Sequence, residues 1–128
     1  MIIKKVFSDG YERLLILDVD GREVVASALD TSSFKIQPQE LDMSEYTINS
    51  GFFLKYASTC SEKVGDFLQP INKSPSTLLT GVIERIDGDV VTLSTRALGS
   101  VIVELEDNYV DGEIFKGELF VECELKSQ

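Results

Sequence analysis

The chain has 128 residues, 43% hydrophobic and 27% charged, ordinary globular values that exclude wholesale disorder and fibrous repeats and predict one domain with a real core. Its 22 acidic and 12 basic residues give a formal net charge of -10, which opposes binding to nucleic acid, to anionic membranes and to acidic substrates. A cationic partner is the permitted complement; the plainer reading is that acidity keeps a soluble, bacterial-type protein dispersed.

Met1 to Phe7 carries Lys4 and Lys5 but no apolar run of signal-peptide type, and Leu14 to Leu17 is far too short to span a bilayer. A cytoplasmic protein is expected. Period-two alternation and Asp-Gly pairs then organise most of the chain. Ile2 to Phe7, Glu12 to Val19 and Arg22 to Ala28 read as an antiparallel meander. Asp9-Gly10 and Asp20-Gly21 join its strands, because a type I′ turn needs two residues that tolerate positive φ. From Thr31 to Tyr46 the pattern weakens, with Phe34 and Ile36 on a short strand stopped by Pro38. Gly51 to Tyr56 is a further strand, and Ser61 can cap a short helix over Glu62 to Leu68.

Gln69 to Thr77, with Pro70, Asn72 and Pro75, reads as an exposed connector. Residues 1–128 are expected to form a single β-rich domain, with two β-units, 1–68 and 78–128, as a subdivision. Four strands follow: Leu78 to Ile86, Asp89 to Arg96, Ser100 to Glu106 and Gly117 to Lys126, with turns at Asp87-Gly88 and Asp111-Gly112. Leu14 to Gly21 also lies over Gly81 to Gly88 as a weak internal repeat, a likeness that Asp-Gly turn chemistry alone explains. The expected architecture is mainly β: an antiparallel barrel or sandwich of about eight or nine strands with one short helix. Its core should hold Leu15, Leu17, Val19, Val25, Phe34, Leu54, Phe67, Val82, Val91, Val103, Leu119, Val121 and Leu125, with Cys123 beside them.

Two stretches resemble known families. Leu14-Leu15-Ile16-Leu17-Asp18-Val19-Asp20-Gly21 resembles the opening of haloacid-dehalogenase-type phosphatases, which would make Asp18 the nucleophile and Asp20 a general acid/base. Arg22 stands where that family carries threonine, and a strand ending in an Asp-Gly turn accounts for the same letters. Thr80 to Lys126 resembles a five-stranded oligonucleotide/oligosaccharide-binding barrel opening at Gly81-Val82-Ile83-Glu84-Arg85-Ile86. Such barrels use basic, aromatic grooves, whereas this region is rich in acids, so the resemblance implies the fold more than its usual ligand.

Chemistry-bearing constellations are few. The chain has no histidine, the commonest general base and transition-metal ligand, and no nucleophile elbow, phosphate loop or dinucleotide fingerprint occurs. Cys60 and Cys123 cannot supply a zinc set, and Asp18, Asp20, Asp87 and Asp89 lack EF-hand spacing, so no metal, cofactor or catalytic group is assigned. The richest feature is the tail. Glu104, Glu106, Asp107, Asp111, Glu113, Glu118, Glu122 and Glu124 face the single base Lys116 between Val101 and Leu125, a net -7 of the total -10. Alternation should align several of them on one sheet face able to steer and hold a basic protein partner. The expected function is therefore an acidic protein-binding module, for example an immunity protein or inhibitor that neutralises a basic toxin or nuclease. The alternative is a structural assembly subunit of phage or secretion type associating through β-edges and exposed Phe52, Phe53 and Phe120, with homo-oligomerisation open. A histidine-free enzyme is the third class.

Overall fold

A computed structural model describes residues 1–9, 12–29, 36–56, 65–104 and 110–125. Ten strands follow in chain order: β1 (Ile2–Asp9), β2 (Glu12–Val19), β3 (Arg22–Leu29), β4 (Gln39–Glu40) and β5 (Tyr46–Tyr56), then β6 (Phe67–Leu68), β7 (Ser76–Asp87), β8 (Val90–Thr95), β9 (Gly99–Glu104) and β10 (Ile114–Leu125). The protein is mainly β, and all ten strands belong to one sheet.

The meander forms as the alternation predicts, β1, β2 and β3 pairing antiparallel in sequence. Asp20 (φ 52) and Gly21 (φ 86) both take the left-handed conformation that a type I′ turn requires. The Asp18 carboxylate accepts the Gly21 N–H at 2.7 Å and braces the turn. This two-residue loop sets Val19 opposite Arg22, and hence Leu17 opposite Val24 and Leu15 opposite Ala26. Residues directly opposite share a face, so Val24 is fully buried and Val25, expected in the core, is not.

The other Asp-Gly pairs behave differently. In the β7–β8 hairpin Asp87 pairs with Val90, so the loop is Gly88-Asp89, and Gly88 (φ 64) takes the first central position as in a type II′ turn. Asp111-Gly112 joins no hairpin. Glu113 N–H donates to Val110 O at 3.1 Å with Gly112 (φ 86) third in the turn, and Gly112 N–H then donates to Ile83 O of β7 at 2.7 Å. Gly10 lies outside the described residues.

Five strands close a ring in the order β10-β5-β9-β8-β7 and back to β10. Four of its pairings are antiparallel and β5 with β9 is parallel. The strand number is that of the barrel the sequence resembles, but its membership differs from the expected Thr80–Lys126 segment, because β5 comes from before the connector. Strand β10 makes the closure possible by serving three neighbours. Ile114 to Phe120 pair with β7, Gly117 to Leu125 pair with β5, and Glu122 bridges in parallel to Ser27 of β3. Just before β7 begins, Pro75 O accepts the Val121 N–H at 3.0 Å.

This handover leaves Val25 of β3 without a strand partner on the side away from β2, and Gln69 fills the gap. Its Oε1 accepts the Val25 N–H at 2.8 Å, while its Nε2 donates to Val25 O at 2.7 Å and to Thr77 Oγ1 at 3.0 Å. A side-chain amide thus stands in for one residue of strand. Truncating Gln69→Ala leaves both backbone groups of Val25 unpaired in a part-buried place and should cost about 1–3 kcal/mol in urea unfolding.

The helix expected over Glu62 to Leu68 is not formed where the structure describes it. Phe67–Leu68 is strand β6 on Leu79 and Leu78 of β7, and the Arg22 guanidinium lies 5.3 Å from the centre of the Phe67 ring. An open stretch of β7 backbone and a cation over the ring hold this segment extended; residues 62–64 lie outside the described residues. Strand β7 carries a register shift between Ile83 and Arg85. A one-residue bulge moves side chains to the opposite face. Ahead of that shift Leu79, Gly81 and Ile83 alternate inward, so Ile83 is buried at 1% exposure and Val82, expected in the core, is 44% exposed.

Leu15, Leu17, Val19, Val91, Val103, Leu119, Val121 and Leu125 are buried as expected, Phe67 is half-buried, and the Phe34 and Leu54 side chains lie outside the described residues. Cys123 is buried as a free thiol, its pKa pushed from 9.0 up to about 12 by burial first and the Glu122 carboxylate second. The folded state therefore holds this proton where the unfolded chain releases it, and stability present below about pH 9 should drain away as pH rises towards about 12. Cys123→Val should flatten that alkaline limb in urea titrations, set against a Cys60→Ser background.

Candidate functional site

Alternation along β10 sorts its side chains cleanly. Phe115, Leu119, Val121, Cys123 and Leu125 face the core, and Lys116, Glu118, Phe120, Glu122 and Glu124 face outward. Register then decides what each carboxylate meets. Glu122 stands opposite Asn49 and Glu124 opposite Thr47 of β5; Asn49 in turn lies beside Ile102 of β9, and Ile102 opposite Thr92 of β8. Glu104, two residues beyond Ile102 on the same face, stands opposite Val90.

The outer surface of four ring strands thus forms a shallow depression of about 360 Å³ with Glu104, Glu122 and Glu124 around Asn49 and Ile102. Asn49 Nδ2 donates to Glu124 Oε2 at 3.0 Å and fixes that carboxylate. A Cβ at Gly51 would come within 3.3 Å of Glu122 Oε2, so glycine leaves that carboxylate its position. Ile102 and Val90 leave 37% and 42% of their surface exposed, so the carboxylates flank apolar ground. Such a surface can accept the alkyl stem of a lysine or arginine and its charged head together.

The remaining predicted site residues separate from this cluster. Glu118, half-buried further along β10, accepts the Ser76 hydroxyl at 3.2 Å. Glu113 accepts the Val110 N–H at 3.1 Å and so shapes the turn that docks on β7, with Asp111 exposed in that turn. Glu106 and Asp107 lie outside the described residues. β9 does not pair with β10, because β5 lies between them, so no carboxylate of β9 stands directly opposite one of β10.

Sequence reasoning missed Thr47 and Asn49, since it began the strand at Gly51. The signal was available: Tyr46 to Ser50 continues the period-two pattern with Ile48 as its buried member. Asp18 and Asp20, the residues resembling a phosphatase pair, belong to the β2–β3 turn of an antiparallel meander, with Asp18 occupied in bracing it. Among the described residues no three His, Cys, Asp or Glu gather as a metal-holding group, and no helix is long and apolar enough to cross a membrane. The chain matches no protein-family model, no curated protein and no solved structure.

Proposed function

We propose that this chain is an acidic protein-binding module of the cytoplasm that captures a basic partner, as an immunity protein or inhibitor captures a basic toxin or nuclease. The observation that carries this reading is the convergence of Glu104, Glu122 and Glu124, from two non-adjacent strands, around one hollow with exposed apolar ground. Complementary potential there would speed encounter and fix register.

The assembly reading finds less support. The sheet order ends in β4 and β6, strands of two residues each, a device that discourages edge-to-edge pairing, and β4 covers Ile2 and Ile3 of β1. Phe120 is half-buried, while the Phe52 and Phe53 side chains lie outside the described residues.

The test is affinity capture of partners at low and high salt with the wild-type protein and with Glu122→Lys/Glu124→Lys. Partners should elute with salt and should bind the reversed variant at least ten-fold more weakly, about 1.4 kcal/mol. Free-domain stability should change little, as the lost Asn49–Glu124 hydrogen bond offsets the like charge removed. Partners that bind both proteins equally would leave the patch a solubilising surface.

A further inference from the structure

Thr47 and Ile102 border a second hollow as well as the acidic one. On their other side a groove of about 400 Å³ runs where the chain entering β5 meets the end of β2 and the start of β9. Its floor is Val19, Leu41, Ile48 and Leu98, each at most 6% exposed. Tyr46 and both methionines of the chain, Met1 and Met43, form its walls, and Met43 is 83% exposed. Methionine walls adapt to the shape of an inserted side chain.

The rim is predominantly acidic, with the Met1 ammonium as its one cation among the described lining residues. Asp20 and Asp42 stand at this groove, and Asp42 is held in its ionised form by the Ser44 hydroxyl and backbone N–H, which lower its pKa. The Met1 ammonium beside them donates to Leu41 O at 3.1 Å. An apolar pit ringed by Asp20, Asp42 and, across Ile102, Glu104 and Glu122 complements a cationic occupant. A second copy of this chain would bring a further net charge of -10 to the same place.

We propose that groove and acidic hollow form one docking surface, and that its occupant is an extended basic segment of a partner protein carrying an apolar anchor. A Leu, Met or Phe side chain enters the groove between Met43 and Leu98, and lysine or arginine lies over Glu122 and Glu124. The inference rests on the capture function proposed above and adds the form of the ligand. Exposed carboxylates set approach and orientation, whereas a desolvated anchor supplies residence. Ile102, on the lip that the two hollows share, and Glu122 are two strand intervals apart, about 10 Å, so an anchor entering past Ile102 stands about three residues of extended peptide from the bases.

The experiment uses three fluorescein-labelled peptides, made otherwise of serine and glycine. One has leucine followed about three residues later by Arg-Lys-Arg, the spacing argued above; the second replaces leucine by serine, and the third replaces the basic residues by serine. Fluorescence anisotropy is measured with wild-type protein, Met43→Ser/Ile102→Ser and Glu122→Gln/Glu124→Gln. Both groove positions are exposed, and near- and far-ultraviolet circular dichroism checks each fold. The anchored basic peptide should bind about ten-fold more tightly than either truncated peptide. Met43→Ser/Ile102→Ser should reduce it to the basic-only level with its salt dependence kept, and Glu122→Gln/Glu124→Gln should weaken binding and flatten that dependence.

Equal binding of the anchored and basic-only peptides, unmoved by Met43→Ser/Ile102→Ser, would overturn the groove's part while leaving electrostatic capture standing. Anchor-only binding as tight as the anchored basic peptide would overturn the joint surface in favour of a purely apolar ligand site. A concentration-dependent dimer in sedimentation velocity that Met43→Ser/Ile102→Ser dissolves would show a second copy in the groove and overturn the proposal. No salt-sensitive binding of any peptide, together with partners that ignore Glu122→Lys/Glu124→Lys, would overturn both readings.

Discussion

Phe115→Ala should lower the free energy of unfolding by about 3–5 kcal/mol, the range for truncating a buried aromatic that leaves a cavity. Phe115 is the largest fully buried side chain described, at 1% exposure. It stands opposite Gly81 in the pairing of β10 with β7 and belongs to the buried core cluster. The neighbours cannot close over the loss easily, because β10 is tied at once to β7 and β5. Phe120→Ala, on the half-buried outer face of the same strand, is the matched control and should cost clearly less. Urea titrations with unchanged slopes would measure the two; equal costs would mean that the ring is not packed around Phe115.

How far the sequence showed the fold depends on how local each decision was. The meander was legible because Asp20-Gly21 is a two-residue turn between alternating runs, and the same logic, carried one step further, fixes Val24 rather than Val25 inside. Val82 was misplaced for the opposite reason. The inward parity of β7 up to Ile83 is carried by Leu79, Gly81 and Ile83, and a glycine at the middle position hides that parity in the letters. Nor could alternation reveal that β5 would join β7 to β10 in a ring, since strand pairing across a long stretch of chain is set by packing of the whole sheet. Phe67–Leu68 became a strand rather than a helix end because β7 offered it backbone partners, a tertiary effect overriding a weak local signal.

The acidic cluster was legible in composition and only partly in place. Alternation put Glu118, Glu122 and Glu124 on one face of β10 correctly, but the tail's charge looked like a single patch because sequence distance stood in for spatial distance. In space Glu104 joins Glu122 and Glu124 across β5, while Glu113 turns back to hold a loop on β7. Asn49, Thr47 and Ile102, uncharged and scattered in the sequence, are what convert three carboxylates into a shaped hollow.

Gly81→Val should be nearly as damaging as loss of Phe115, about 3 kcal/mol or more, through overpacking rather than a cavity. A Cβ at Gly81 would lie 3.0 Å from Thr95 Cγ2, 3.2 Å from Leu93 Cβ and 3.2 Å from the Ser94 carbonyl oxygen, and the last is backbone that cannot rotate away. Gly81 needs no left-handed conformation, so the cost is steric alone. Gly21 is the converse case, at φ 86 with nothing within 4 Å of its would-be Cβ, and Gly21→Ala should lose only about 1 kcal/mol through backbone strain. The two mechanisms respond differently to a compensating change. Pairing Gly81→Ala with Thr95→Ser removes the methyl group at 3.0 Å and should recover part of the Gly81→Ala loss, whereas Thr95→Ser should do nothing for Gly21→Ala. Thr95 Oγ1 accepts the Leu98 N–H at 3.0 Å and donates to Gly99 O at 2.8 Å, and serine keeps both functions, so the cycle isolates the contact. Strict additivity of Gly81→Ala with Thr95→Ser would sink the close-approach account of this glycine.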